Sequence, residues 1–402
     1  MTDRADALIL LRTDEGRGLL EMAESLPPDR LTRITALRRR ALAHVAATAV
    51  ELLELRRRAA AKFPYADRMF FTPSGLEMST GERIARFRAA RFPEGAPVLD
   101  ACCGIGGDAL CLAGRGPVLA VDRDLEAALC AQSNARALQP GSALHALCAD
   151  ATALDLTRLK AAGVSAALFD PARRSPAGGR SRSRSAEECA PPLSWLRALR
   201  SAIADVAVKL SPMIDDALLN RSGARVELIS DQGECKEAAL WYGGLAAELP
   251  LDGWSATVLR AGHPPATLVP AGAPRPPVSA VEAWLVEPDA AVIRAHRIPE
   301  LAAQTGAALL DPAIAYLTSD TETHTPFARC YRVIESMPFN LKHVQSRLRS
   351  LGRRVYAIKR RGGSIDPNEL AHRLTGDPDS DERAIVVIAY VNERPLAILC
   401  EP

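Results

Sequence analysis

The sequence predicts an α/β fold, in which a doubly wound, mainly parallel sheet lies between a helical N-terminal region and a smaller C-terminal α+β domain. After residue 98, short apolar runs alternate with stretches of helical periodicity. Such alternation is typical of parallel strands joined by right-handed crossover helices. Before residue 68, apolar residues recur at helical spacing alone, and residues 261–277 are dense in Pro, Gly and Ala.

These changes of pattern divide the 402-residue chain into four segments. A chain of this length is expected to form two or three domains. We expect a helical region over residues 1–68, the sheet domain over residues 69–260, a linker over residues 261–277 and the C-terminal domain over residues 278–402.

The strands of the sheet domain are expected in a regular order, with helical stretches between them. They are VLDAC, PVLAVD, LHALCAD, AALFD, DVAVKLS, RVELIS and SATVL. A helix over Leu125–Leu138 follows the second strand, and the close spacing of the last strands predicts an antiparallel hairpin. In the C-terminal domain RVYAIKR and AIVVIAYV are strand-like, and helices are expected near Asp289–Arg297 and Leu341–Leu351.

Composition limits the kinds of binding site that we expect. Hydrophobic residues make up 48% of the chain and charged residues 24%, so it can bury a large core. Because the formal net charge is only +2, a nucleic-acid site has to come from local clusters of Arg and Lys. The seven His and nine Cys lack the paired spacing of a zinc site, and we expect no metal.

The N-terminus has acids around a short apolar run, which is unlike a signal peptide. No apolar run approaches the roughly 18 residues of a membrane span. Unpatterned cysteines are typical of a reducing compartment. We therefore expect a cytoplasmic protein with no membrane partner, and the oligomeric state stays open.

The strongest motif is VLDACCGIGGDAL, residues 98–110. Gly104 and Gly106 let the backbone turn tightly and approach a ligand closely after a buried strand. The helix that follows offers free backbone donors at its start. Cys102 is expected to line the ligand as a small, apolar-like side chain. The loop also satisfies a looser dinucleotide fingerprint, so by itself it does not identify the ligand.

Asp100, at the end of the first strand, separates the candidate ligands electrostatically. A dinucleotide would bring a doubly negative pyrophosphate to this loop, where a carboxylate repels it. S-adenosylmethionine brings an ammonium and a sulfonium, which a carboxylate attracts. The sequence therefore favours S-adenosylmethionine over a nicotinamide cofactor, and the alternative is that Asp100 only caps the loop.

Two further acids end the next two strands. Asp122 can accept from both ribose hydroxyls, since ligands of such sheets bind outside the carboxyl ends of strands. Arg123 would flank the adenine. Asp150 can accept from the adenine amino group, and Ala151 leaves room for the ring. Each acid alone is more often a turn residue, but three acids at successive strand ends form a joint signal.

The fourth strand ends in Asp170 and Pro171. A polar residue followed by Pro at this strand end is typical of methyltransferases that act on amino groups. Asp170 can accept a hydrogen bond from an exocyclic amino group, and Pro171 fixes a backbone carbonyl that can do the same. Such a reaction needs alignment and exclusion of water more than acid–base help.

These motifs resemble those of RNA methyltransferases with Asp-Pro-Pro or Asn-Pro-Pro sequences, and the Cys-Gly-Ile-Gly-Gly-Asp loop resembles the trimethylguanosine-synthase branch. The resemblance implies a class I methyltransferase with a Rossmann-like seven-stranded sheet and S-adenosylmethionine as cofactor. It also implies an RNA substrate, with transfer to a purine amino nitrogen in tRNA or rRNA.

The resemblance extends to both flanks of this sheet. FFTPSGLEMSTGERIARFRAARF is similar to the helical lead-in of that family, which implies that Thr72, Glu77 and Thr80 help to close over the methionine end of the cofactor. WLVEPDAAVIRA, LDPAIAYLTSD and VYAIKRRGGSIDP resemble the THUMP-like domain of bacterial methyltransferases.

The chain departs from the family pattern after Pro171. The family usually has a second Pro there and often an aromatic that stacks on a flipped base, whereas this chain has Ala172 and Arg173. Arg173 can stack on a base or hold a phosphate, and the basic loop Arg173–Arg184 would clamp an RNA backbone. The alternative for this loop is solvated surface charge.

A second basic cluster lies in the C-terminal domain, around Gly362 and Gly363. Clustered cations near glycines can hold RNA phosphates, and surface charge is the alternative. Its members are Arg347, Arg349, Arg353, Arg354, Lys359, Arg360 and Arg361.

Other functions stay open from the sequence alone. The altered Pro-Ala-Arg triplet favours a non-catalytic RNA-binding protein with a vestigial pocket. A methyltransferase acting on a small molecule or a protein is the rival within the enzyme class.

Overall fold

The computed structural model of the protein describes residues 2–173, 189–363 and 365–402. Its helices are α1 (Asp3–Leu11), α2 (Asp14–Ser25), α3 (Arg30–Leu37), α4 (Ala43–Ala59), α5 (Pro73–Met78), α6 (Glu82–Ala89), α7 (Gly107–Ala113), α8 (Leu125–Leu138), α9 (Leu156–Ala161), α10 (Trp195–Ala202), α11 (Asp216–Arg221), α12 (Ala290–Arg294), α13 (Ile298–Thr305), α14 (Leu341–Ser350) and α15 (Pro367–Ala371).

Its strands are β1 (Val98–Ala101), β2 (Val118–Asp122), β3 (Leu144–Cys148), β4 (Ala166–Phe169), β5 (Ala172–Arg173), β6 (Cys189–Ala190), β7 (Asp205–Leu210), β8 (Arg225–Asp231), β9 (Glu234–Trp241), β10 (Trp254–Leu259), β11 (Ala266–Leu268), β12 (Trp284–Pro288), β13 (Ala308–Leu309), β14 (Leu317–Ser319), β15 (Ala328–Pro338), β16 (Arg354–Arg361), β17 (Arg383–Val391) and β18 (Arg394–Cys400).

The large sheet has the strand order β11-β10-β8-β9-β7-β4-β1-β2-β3. β1 pairs in parallel with β2 and β4, β2 with β3, and β4 with β7. β9 runs antiparallel to β7, as expected for the late strands. The prediction of a doubly wound, mainly parallel sheet is confirmed. The sheet has nine strands rather than seven because β9 and β11 join the seven predicted strands, β9 beside β7 and β11 beside β10.

The chain forms two compact units, one of Met1–Val226 with Ala238–Glu248 and the other of Glu227–Glu237 with Leu249–Pro402. The N-terminal region of the first unit is helical, as the apolar spacing predicts. α2 ends before Pro27 and Pro28, since proline cannot continue a helix. Among the described helices, none combines the length and the apolar character needed to cross a membrane.

One buried amide holds the segment that leads into the glycine loop. Asn134 of α8 is fully buried. Its Oδ1 accepts from the Phe70 N–H at 2.6 Å, while its Nδ2 donates to the Phe70 carbonyl at 3.1 Å and to the Ile105 carbonyl at 2.9 Å. Residue 70 and the glycine loop are thereby fixed to the same turn of α8.

α5 packs closely on the glycine loop. A Cβ at Gly75 would lie 2.3 Å from Ile105 Cγ2 and 2.7 Å from Thr72 Oγ1, so only glycine allows this approach. Lys62 Nζ donates to the carbonyls of Leu76 and Ser79 at 2.8 and 3.1 Å, which satisfies acceptors at the C-terminal end of α5.

The second unit contains a seven-stranded sheet of order β13-β14-β12-β15-β18-β17-β16. The predicted strands RVYAIKR and AIVVIAYV are β16 and β17, which pair in parallel. Successive residues of β17 enter two different apolar cores, with Val387 in one and Val386 in the other, so both faces of this strand are buried. Within the expected linker, Ala266–Leu268 form β11, which pairs with β10.

Gly75→Ala tests the close approach of α5 to the glycine loop. We expect the free energy of unfolding to fall by about 1–3 kcal/mol, as for other overpacked sites, because Ile105 is buried and has no room to move. Gly18→Ala in α2 is the control, since no atom lies within 4 Å of the added Cβ. That change is expected to raise stability by roughly 0.5–1 kcal/mol. Urea unfolding measures both, and equal effects would contradict the packing described.

Candidate active site

The glycine loop turns back toward β2 immediately after β1. Cys102, Gly104 and Gly106 have φ of 70°, 54° and 84°, all in the left-handed region. The N–H groups of Cys102 and Cys103 donate to the Val121 carbonyl at 2.8 and 3.0 Å, which ties the loop to β2. The expected tight turn is therefore present.

The two glycines Gly104 and Gly106 have different surroundings. A Cβ at Gly106 would lie 3.0 Å from Ala131 Cβ, so glycine lets α7 begin close to α8. A Cβ at Gly104 would meet no atom within 4 Å, so the loop is open at this residue. The open side is where a ligand can approach the backbone closely.

Asp100 is the most unusual ionisable group of this region. It is 1% exposed, and neither carboxylate oxygen has a hydrogen-bond partner among the described residues. Burial, followed by the negative charges of Asp108 and Asp170, raises the pKa of Asp100 well above its ordinary value. A buried carboxyl without a partner is costly, so this position favours a ligand that donates hydrogen bonds or carries positive charge.

Asp108, in the first turn of α7, forms a buried ion pair with Arg88 of α6. Arg88 is 1% exposed, and its charge opposes the rise in the pKa of Asp100. Sequence reasoning missed this arginine because its partner lies 20 residues away in another helix.

Asp122 ends β2, as expected, and its carboxylate stabilises two turns. Oδ2 accepts from the Gly104 N–H at 2.8 Å, and Oδ1 accepts from the Asp124 N–H at 2.9 Å. Burial is the main cause that raises the pKa of Asp122, although both hydrogen bonds oppose it. The structure thus brings Asp122 into contact with the glycine loop. Arg123 follows it and is exposed.

Asp150 follows β3, and its side chain is exposed. Its Oδ1 accepts from the Thr152 N–H at 2.8 Å and from the Thr152 hydroxyl at 2.7 Å. The hydrogen bonds to Thr152 lower the pKa of Asp150. Asp150 therefore caps the short 3-10 helix Ala151–Ala153, and Ala151 itself is buried.

Asp170 follows β4 on the strand next to β1, and its N–H donates to the Ala101 carbonyl at 3.1 Å. Its Oδ2 forms an ion pair with Lys209 of β7, which sequence reasoning missed. Pro171 is buried. The backbone of Arg173 pairs with Cys189 in the two-stranded β5–β6 sheet. Beyond Arg173, the basic loop predicted to run to Arg184 lies outside the described residues.

The three candidates of the lead-in have different surroundings. Thr72 is buried and its Oγ1 caps α5 by accepting from the Gly75 N–H at 3.0 Å. Thr80 is buried, and its Oγ1 has no hydrogen-bond partner among the described residues. Glu77 is exposed, and its carbonyl accepts from Lys62 Nζ at 3.2 Å.

Much of the C-terminal basic cluster is engaged within the protein. Lys359 forms an ion pair with Glu287 and donates to the Tyr331 hydroxyl at 2.9 Å. Arg347 Nε donates to Glu335 at 2.6 Å, and Arg360 donates to the carbonyl of Ile365 at 3.0 Å. These side chains have internal partners, which a linear pattern of cations does not reveal. Across the described ranges, no group of three or more His, Cys, Asp and Glu side chains could hold a metal ion.

A family described as THUMP domain-like matches residues 328–402. The chain is also 32% identical over 340 residues to an uncharacterized S-adenosylmethionine-dependent methyltransferase of Mycobacterium tuberculosis strain H37Rv, which covers 81% of this chain and 88% of that protein. The chain belongs to this family of S-adenosylmethionine-dependent methyltransferases. A protein of Porphyromonas gingivalis W83, provisionally described as a methyltransferase, has the same fold, with a TM-score of 0.77 and 20% identity over 96% of this chain and 97% of that one.

The site of this methyltransferase fits its cofactor, S-adenosylmethionine. The carboxylate of Asp100 has no partner within the described protein, and the cofactor carries the ammonium and sulfonium that such a group attracts. The open face at Gly104 supplies the room that a close backbone approach needs. The pyrophosphate of a dinucleotide would instead be repelled by Asp100 at this position.

Replacement of Asp100 by Asn tests the burial of this carboxyl in the cofactor-free methyltransferase. A carboxyl whose pKa is raised on folding contributes most below its unfolded pKa, and that contribution is lost as the pH rises toward the folded pKa. We therefore expect Asp100→Asn to stabilise the protein more at about pH 8 than at about pH 5. Urea unfolding at both pH values measures the difference.

The control for this comparison is Asp124→Asn, because Asp124 is an exposed helix cap and Asn caps equally well. A stability difference for Asp100→Asn that does not grow with pH would contradict the assignment of a buried, unpaired carboxyl.

Proposed function

We propose that this methyltransferase transfers the methyl group to RNA, at a purine amino nitrogen in tRNA or rRNA. The observation that carries the proposal is the position of Asp170, one strand from Asp100 and hydrogen-bonded through its N–H to Ala101. The hydrogen-bond acceptor Asp170 thus lies beside the strand end at which Asp100, the proposed ligand of the cofactor, is buried.

Different residues of the chain would bind different parts of the cofactor. Asp100 would bind the ammonium, and the backbone at Gly104 and Gly106 would allow the close approach. Asp122, already fixed by two backbone donors, would accept from the ribose hydroxyls. The cofactor, when bound, supplies an electrophilic methyl group. The remaining proposed contacts are Cys102 along the ligand, Arg123, Asp150 and Ala151 at the adenine, and Thr72, Glu77 and Thr80 at the methionine end.

The acceptor would be aligned by Asp170 and Pro171. Asp170 would accept a hydrogen bond from the amino group, and Lys209 fixes the orientation of that carboxylate through its ion pair. Pro171 is buried and restrains the backbone that follows. Arg173 would contact the base or a phosphate. Alignment and exclusion of water are sufficient for a nucleophilic nitrogen, so no strong base is needed.

Two further observations support RNA as the substrate. The match of residues 328–402 to a THUMP domain-like family supports an RNA-recognition role for the C-terminal unit. The glycine loop resembles the trimethylguanosine-synthase branch, which acts on guanine amino groups.

All nine cysteines are free, which supports the expected reducing cytoplasm.

One feature favours a second candidate. Ala172 and Arg173 replace the second Pro and the aromatic of the related motif, so the aromatic stacking surface of that motif is absent from these two positions. Because the chain belongs to a family of S-adenosylmethionine-dependent methyltransferases, the non-catalytic alternative is not supported. Transfer to a small molecule or a protein is the alternative within the enzyme class.

Cofactor binding tests the proposed pocket. We expect Asp100→Asn and Asp122→Asn each to weaken S-adenosylmethionine binding at least about tenfold, since each removes a charge-assisted contact. Asp124→Asn, adjacent to Asp122 but exposed, should bind like the wild type. Isothermal titration calorimetry gives the dissociation constants, and wild-type affinity in the two pocket variants would refute the pocket.

Asp170→Ala tests the acceptor site separately. Labelled methyl transfer should be measured on total RNA from cells that lack the protein. We expect a loss of about 100-fold or more in transfer, because alignment of the nitrogen is lost. Cofactor affinity should be undiminished, since removing Asp170 removes a charge that disfavours ionised Asp100. Exposed Asp155, replaced by Asn, is the control. Transfer to protein or small molecules with none to RNA would support the alternative.

A further inference from the structure

A second cavity of the first unit lies on the side of α8 that faces α1, α2 and α4. Its volume is about 520 Å³. Five arginines line it together with three carboxylates, which leaves an excess of positive charge. The arginines are Arg12, Arg17, Arg56, Arg68 and Arg136.

Three of these arginines have partners within the protein. Arg17 forms an ion pair with Asp14, and Arg68 donates to the Ala137 carbonyl. Arg56 Nε donates to the Met69 carbonyl at 2.9 Å. Burial lowers the pKa of Arg56, and the nearby Glu24 and Asp67 oppose that change. Two of the three cavity carboxylates, Glu24 and Asp67, therefore act on Arg56.

Arg12 and Arg136 are different. Within the part of the chain that the structure describes, neither guanidinium has a hydrogen bond or an ion pair with another residue. Burial is the main cause that lowers the pKa of Arg12, and the positive charge of Arg136 lowers it further. The charge of Arg136 therefore disfavours the charged form of Arg12. Two unpaired cations that face one cavity repel each other unless an anion lies between them.

We propose that this cavity binds a phosphate monoester through Arg12 and Arg136. Guanidinium groups bind phosphate oxygens in a bidentate manner, and two of them match a dianion. The cavity is larger than a phosphate ion alone, so an organic group attached to the phosphate has room.

Phe70 also lines the cavity, and the Arg56 guanidinium lies 5.7 Å from the centroid of its ring. Because Phe70 is only 8% exposed, it adds an apolar edge beside the arginines rather than an open stacking surface. The same ligand chemistry is offered by a free nucleotide and by the terminal phosphate of an RNA chain. The inference does not depend on the proposed methyl acceptor.

The test uses uridine 5′-monophosphate and uridine as probes, with the full chain and an excess of S-adenosylhomocysteine to fill the cofactor pocket. At constant ionic strength, we expect the monophosphate to bind and to raise Tm, and uridine to do neither. Arg12→Met and Arg136→Met should each weaken monophosphate binding at least about tenfold. The matched control is Arg39→Met, an exposed arginine outside the cavity.

The two sources are separated with a ten-residue oligoribonucleotide, with and without a 5′-phosphate. Tighter binding of the phosphorylated oligonucleotide than of the monophosphate assigns the site to an RNA end, and the reverse assigns it to a free nucleotide. No binding by either phosphorylated probe, or wild-type affinity in both Met variants, overturns the proposal.

A measurement on the unaltered protein covers the case in which a variant does not fold. Phenylglyoxal modifies accessible arginines, and mass spectrometry locates the modified residues. We expect the monophosphate to protect Arg12 and Arg136 at least about tenfold while Arg39 reacts unchanged. Equal modification of Arg12 with and without the monophosphate contradicts the site.

Discussion

The unpaired carboxyl of Asp100 is the constraint on which the rest of this site depends. It lies at the end of a central strand, fully buried, with no donor from the residues that the structure describes. A fold tolerates such a group only where other interactions exceed its cost. Here β1 is hydrogen-bonded on both sides, to β2 and to β4. The central position of the strand therefore holds the carboxyl in place, where burial raises its pKa.

The surrounding charges are arranged so that this one acid stays unpaired. Arg88 forms an ion pair with Asp108, and Lys209 forms an ion pair with Asp170. Both cations influence the pKa of Asp100, but neither forms a direct contact with it. The partner carboxylates of these cations, Asp108 and Asp170, still contribute to the raised pKa of Asp100. The result is a buried acid suited to a positively charged ligand, flanked by the hydrogen-bond acceptor Asp170 on the next strand.

Local patterns predicted the parts of the molecule in which the decisive interactions are near in sequence. The helix Leu125–Leu138 has the predicted bounds, and the left-handed glycine turn follows β1 as expected. Arg88, Asn134 and Lys209 could not be identified in this way, because their partners lie 20 to 64 residues away. β11 within the expected linker shows the same limit, since a Pro-rich segment can still pair with a preceding strand. The partners of the C-terminal cations are likewise distant in sequence, as for Lys359 and Glu287, and a linear pattern does not reveal them.

Asn134 has a wider consequence for how the first unit responds to change. Its single amide group is joined to both Phe70 and Ile105, and Ser133 and Arg136 on the same helix line the arginine cavity. A displacement of α8 would therefore disturb these contacts together, because the same helix carries all of them. α8 is thus a shared support for the glycine loop and the arginine cavity.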